Sequence, residues 1–330
     1  MPAKKKRSAT KKGGTRRKRS DRDVTRAIAG GKARATVVLA QRAVQQRKRS
    51  RALATAATAR ALAAPPRISA RTLSLVGAPA SAGTLMAEGD SWFDYPFHDV
   101  LKMLEDEHAF DVESVAHRGD RVEDMAFAPG QLDEFTRRLE KLLRNGTVPR
   151  AIVLSGGGND IAGEEFGMLL NHAASPIAGL NDDIVRGVID KRVKTAYAFV
   201  ISAITAIGTR YLGRALPIVV HGYDYPVPDG RGFLGGFWLL PGPWLKPGFE
   251  EKGFDDLLAN TALMSQVIDR FNSMLRDLAA QFPNVYYIDL RTTLPNDQRY
   301  RTYWANELHP TERGFSMVAN QFAALINNLP

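Results

Sequence analysis

From about residue 84 onward the sequence predicts an α/β sandwich, with helices covering both faces of a mainly parallel five-stranded sheet. Two observations predict it. Short apolar runs alternate with stretches of helical periodicity, the pattern of strands joined by crossover helices. Five such runs occur between residue 84 and the last helical stretch. A third observation sets the start of the chain apart. Residues 1–71 carry 22 Lys and Arg against 2 Asp, a net +20, while residues 72–330 carry 23 against 33 acidic residues, a net −10. The expected organisation is therefore a basic arm, 1–71, ahead of one acidic domain, 72–330.

The arm is read first. Its basic clusters at 4–7, 11–12, 16–19 and 47–51 repel one another and bury little, which predicts no fixed structure over the first thirty residues. Residues 33–64 are rich in Ala and Arg and lack Pro and Gly, predicting a helix with a thin apolar stripe, stopped by Pro65 and Pro66. In the domain, TLMAEG (84–89) is the first strand, followed by a helix around 97–108 and a second strand in FDVESVA (110–116). A helix around 130–144 leads to the third strand, AIVLS (151–155). Residues 184–212 form a long helix by the spacing of Val188, Ala196, Val200, Ile204 and Ile207, and LPIVVHG (216–222) is the fourth strand. A helix over 255–282, the fifth strand VYYIDL (285–290) and a last helix from Thr311 to about Asn327 complete the chain. The segment 221–253 is rich in Gly, Pro and aromatics, among them Phe233, Phe237, Trp238 and Trp244, and is expected to be irregular. It reads as a lid or acyl-binding wall, or as a long loop packed on its own domain.

Composition removes several chemistries. With 330 residues and 44% hydrophobic content the chain can bury a large core. The absence of cysteine leaves no disulfide, thiolate nucleophile or cysteine metal site. The six histidines (98, 108, 117, 172, 221 and 309) show no HExxH-like spacing, so neither a metal nor another cofactor is expected. No run reaches the 18 to 20 apolar residues of a membrane span, and no apolar core of a signal peptide follows the basic start, so a cytoplasmic protein is expected. The arm suits either contact with a polyanion, nucleic acid or an anionic membrane, or a solvated tail. It holds no aromatic residue, so any binding of nucleic acid would be sequence-blind.

Chemistry concentrates in four short stretches. Gly89, Asp90 and Ser91 in LMAEGDSWFDYP end the first strand; alone they read as an ordinary turn. Gly119 follows in AHRGD, Asn159 in VLSGGGNDIAG and His309 in NELHPTERGF, each beside a strand end or a helix start. A serine straight after a strand can present its hydroxyl at the sheet rim and its own N–H to a developing oxyanion. In this order the four blocks resemble those of the SGNH, or GDSL-type, serine hydrolases over roughly residues 84–328. The resemblance implies a flavodoxin-like fold and cofactor-free hydrolysis of a small-molecule or lipid ester by an esterase or lipase-like enzyme. Transfer or removal of a carbohydrate O-acetyl group at the same site, and a weakly active domain tethered by the arm, remain alternatives.

The resemblance also implies roles. Ser91 would be the nucleophile, His309 the base, and the N–H groups of Ser91 and Gly119 with the Asn159 amide the oxyanion donors. The family carries Asp three residues before its histidine; here Asn306 stands there, with Glu307 beside it. The group orienting His309 is then Asn306 in a dyad-like arrangement, Glu307, Asp224, or backbone carbonyls. Asp90 is expected to fix its turn, and Trp92, Tyr223 and Asp224 to touch substrate.

Overall fold

The computed structural model describes residues 11–63, 81–163, 165–235 and 240–330. Each of the five apolar runs is a strand: β1 (Gly83–Glu88), β2 (Phe110–Ser114), β3 (Ala151–Leu154), β6 (Ile218–His221) and β7 (Val285–Ile288). They form one parallel sheet in the order β2-β1-β3-β6-β7. β4 (Leu170–Asn171) and β5 (Gly179–Leu180) pair separately as a small antiparallel ladder. β3 and β6 are buried along their whole length, so they read as unbroken apolar runs without alternation.

Right-handed crossovers decide where the helices go. The step from β1 to β2 runs opposite to the later steps, so α2 (Val100–His108) lies on one face, where it packs against α9 (Glu312–Asn327). The other layer holds α3 (Val122–Phe127), α4 (Gln131–Arg144), α6 (Lys194–Leu212) and α8 (Leu257–Ala279). The long helix expected over 184–212 is α5 (Asp182–Gly187) joined to α6 by a π-helical turn, Val188–Val193. Side-chain caps start several helices, Asp99 accepting the Lys102 N–H at 2.8 Å and Asp256 that of Ala259 at 2.7 Å. Two short helices were not expected. α3 follows the Gly119 turn, and α7 (Lys246–Glu251) interrupts the segment expected to be irregular. Pro247 fits the first turn of α7, and the Glu307 carboxylate accepts N–H groups at its start.

The arm departs most from expectation. Helix α1 runs from Lys11 to Ala63, so residues 11–30, expected to lack fixed structure, form its first part, and the proposed start at 33 is too late. Residues 1–10 and 64–71 of the arm lie outside the described residues. α1 lies along α6 and touches α4. Val24, Ala27, Gly31, Ala35, Val38 and Arg42, spaced three and four apart, are its buried stripe. At Gly31 the backbones approach so closely that a β-carbon would meet the Phe199 carbonyl and the Ser202 side chain. Arg42 donates to Glu140 Oε2 at 3.1 and 2.6 Å, and the Tyr211 hydroxyl donates to Oε1 at 2.5 Å. Charge repulsion within the arm does not prevent this, because Arg22, Arg26, Lys32, Arg47, Lys48 and Arg49 point into solvent.

Candidate active site

Ser91 sits one turn past the end of β1, on a bend held by Asp90. That buried carboxylate accepts the Trp92 N–H at 3.0 Å and the Ser155 hydroxyl at 2.7 Å, and also the Tyr223 hydroxyl. Asp90 therefore ties β1, β3 and β6 together at their carboxyl ends. Across the rim, the loop between β7 and α9 brings His309 Nε2 to 2.7 Å from Ser91 Oγ. His309 Nδ1 lies 3.0 Å from Asn306 Oδ1, which also accepts the N–H groups of Leu308 and His309 at 3.0 and 2.9 Å. The Asn306 amide nitrogen donates to the Tyr95 hydroxyl at 2.9 Å. The two backbone N–H donors at Oδ1 assign the amide's orientation, so Nδ1 facing that oxygen carries the ring proton and Nε2 the lone pair facing Ser91. The Tyr95 ring stacks on the imidazole at 4.2 Å between centroids.

His309 is buried and faces no charge, and burial alone pushes its pKa from 6.5 to about 3. It is thus neutral across the physiological range, ready to accept a proton but a weak base. The two carboxylates weighed as its partner are engaged elsewhere. Glu307 accepts four backbone N–H groups: Gly230 at 2.9, Trp244 at 2.7, Leu245 at 2.8 and Lys246 at 3.1 Å. Asp224 accepts those of Tyr225 at 2.8, Thr292 at 2.9 and Leu294 at 2.5 Å, and burial raises its pKa to about 6 against the pull of these donors. Both hold loops, and neither orients the imidazole.

Gly119 adopts φ +89°, a conformation that side chains rarely take, in the turn after β2. Among the described residues no protein acceptor takes the N–H of Ser91 or of Gly119. Asn159 is held by one amide hydrogen, donated to the Asp120 carbonyl at 3.0 Å, and its second remains for a ligand. Ser91, Gly119, Asn159 and His309 border one cavity of about 360 Å³. The arrangement can pass a proton from hydroxyl to imidazole and offer several neutral donors to an oxyanion.

A sequence model of the GDSL-like lipase/acylhydrolase family matches residues 81–316. The chain belongs to this family. No protein with a curated description matches it. Among solved structures, this SGNH/GDSL hydrolase is similar to a catalytic mutant of an acetylxylan esterase from Geobacillus stearothermophilus: 13% identity, 76% of this chain and 97% of that one covered, TM-score 0.40. It is also similar to a possible lipase from Chitinophaga pinensis: 13% identity, 73% and 96% covered, TM-score 0.44.

In this SGNH/GDSL hydrolase Trp92, Tyr223 and Asp224, expected to touch substrate, border a second, smaller pocket beside Ser91 and are also built into the frame. The Trp92 indole is buried, donates to the Leu308 carbonyl at 3.0 Å and stacks on His221. The Tyr223 hydroxyl donates a hydrogen bond to Asp90 and accepts the Gly158 N–H at 3.2 Å, while Asp224 is held by the loop amides already described. The 221–253 segment does border the cavity, through Phe233, Leu240, Pro241 and Trp244. Phe237 and Trp238 lie outside the described residues. Sequence reasoning missed the role of Tyr95 and the anchoring by Glu307. The stacked tyrosine had one signal, its position four residues after Ser91; the anchoring carboxylate had none. Among the described residues no three His or carboxylate side chains come close enough to hold a metal ion.

Proposed function

We propose that the chain hydrolyses esters through a serine acyl-enzyme. The observation that carries this reading is the unbroken relay from Ser91 Oγ through the His309 ring to Asn306 Oδ1, at 2.7 and 3.0 Å. As Ser91 attacks the ester carbonyl its proton moves to His309 Nε2. The new oxyanion is met by the N–H groups of Ser91 and Gly119 and by the Asn159 amide, each donor contributing about 3 kcal/mol to the transition state. His309 returns the proton to the departing alcohol, and a water repeats the sequence to release the acid. Ser91→Ala should abolish hydrolysis of p-nitrophenyl acetate and labelling by a fluorophosphonate, with the thermal unfolding midpoint unchanged. Undiminished hydrolysis by that variant would end the serine reading.

We further propose that the arm contacts a polyanion through its solvent-facing basic residues. The exposed Arg47, Lys48 and Arg49, a little over one turn beyond the buried Arg42, support this.

A further inference from the structure

Two cavities meet at Ser91, and they differ in size and in what borders them. Ser91, Asn159 and Leu308 border both. The larger, about 360 Å³, has His309 and Gly119 on its wall with the rings of Tyr95, Phe233 and Trp244. The smaller, about 50 Å³, lies towards β6 and α8, behind Ile161, Ala162, Leu245, Met264 and Ile268, and His309 is not part of it.

Acyl transfer assigns the two. The proton that His309 takes from Ser91 must be delivered to the leaving oxygen, so the alcohol has to lie in the space that His309 borders. The acyl chain is bonded to the same carbon as the leaving oxygen and cannot share that direction. It must point into the other cavity. A water needs on the order of 10–15 Å³ of such space, so 50 Å³ seats about four heavy atoms. The walls are already packed. Leu245 is fully buried, and Met264, Ile268 and Ile161 are nearly so. Inserting further methylenes would displace side chains that support the core.

We infer that the enzyme takes esters of short acyl groups, acetyl to about butyryl, on bulky alcohols, with the acyl chain in the small cavity and the alcohol against the aromatic wall. The inference rests on the serine-hydrolase reading.

The test is a series of p-nitrophenyl acetate, butyrate, hexanoate and octanoate at matched concentrations below KM. The wild type should lose at least tenfold in kcat/KM between butyrate and octanoate. Met264→Ala should raise the octanoate-to-acetate ratio at least tenfold, whereas Phe233→Ala should leave that ratio within twofold and change the preference between p-nitrophenyl and ethyl acetate. Ala162→Leu, which fills the small cavity without removing a packed side chain, should depress butyrate more than acetate and serves if Met264→Ala does not fold. A flat or inverted chain-length series in the wild type overturns the assignment while leaving the hydrolase reading intact. A ratio shifted by Phe233→Ala and not by Met264→Ala also overturns it. No turnover of any ester by folded protein would overturn both.

Discussion

An amide at position 306 holds the His309 ring but would give nothing to the imidazolium that the proposed acyl transfer forms. In the well-known serine-protease case, exchanging the buried Asp for Asn costs about 10⁴ in kcat. Here the reverse exchange is open. In Asn306→Asp the new carboxylate could keep the two backbone donors and the ring N–H, and the Tyr95 hydroxyl could turn from accepting to donating. We expect kcat/KM at pH 7 to rise tenfold or more, about 1.4 kcal/mol. The pH profile separates this from a packing effect. Burial holds His309 near 3, so the acid limb of wild-type kcat/KM should lie well below the ordinary histidine value. A negative charge beside the ring favours its protonated form and should move that limb upward. An unchanged limb with an unchanged rate would mean that the new carboxylate does not reach the ring. Ser91, Gly119, Asn159 and His309, singled out by their order in the chain, do border one cavity. The fates of Glu307 and Asp224 were not legible in the sequence, because their partners are backbone amides as distant in sequence as Gly230 and Thr292, and amides leave no trace in residue identity.

Among the elements, the parallel strands declared themselves through their apolar runs, while α1 concealed its docking. Its stripe of Val24, Ala27, Gly31, Ala35 and Val38 is made of small side chains, which add little hydrophobicity to read but let α1 settle close to α6. The dense positive charge around it pointed to disorder, a reading that holds only for a helix with no surface to pack on. The buried Arg42–Glu140 pair ties α1 to α4 beside this packing. Arg42→Met should lower the unfolding free energy in urea by about 3 kcal/mol at pH 7, since Glu140 would keep only Tyr211 and the more distant Arg144. Hydrogen bonds from Arg42 and Tyr211 outweigh burial and hold the Glu140 carboxyl below its ordinary pKa. Its stabilisation is therefore present above the unfolded value, near 4.5, and is lost as pH falls through the lower folded value. The gap between wild type and variant should accordingly narrow on acidification; a gap constant with pH would assign the loss to packing.

Over the whole molecule, the arm sets a packed stripe apart from the basic face proposed to meet a polyanion. Its inner stripe covers α6, so deleting residues 1–71 would strip a packed face and confuse loss of binding with loss of fold. A cleaner comparison replaces Arg47, Lys48 and Arg49 together by Gln. The full chain should retard duplex DNA at about 50 mM salt and release it near 200 mM, and the triple variant should bind more weakly with a shallower dependence on salt. Equal affinity and slope for the two proteins would remove these residues from any polyanion surface. No helix among the described residues is long and apolar enough to cross a membrane. The Glu307 anchor bears on a different behaviour. It joins the backbone of Gly230 and of Trp244 through Lys246 to the loop that carries Asn306 and His309, and Arg231 reinforces the join by donating to the Trp304 and Ala305 carbonyls at 2.9 and 3.0 Å. Those parts of the aromatic wall cannot swing aside without carrying His309 away from Ser91. An oil–water interface would have nothing to open at these anchored positions: if they set access, turnover of a sparingly soluble ester should follow simple saturation through its critical micelle concentration, with no burst of activity when micelles appear.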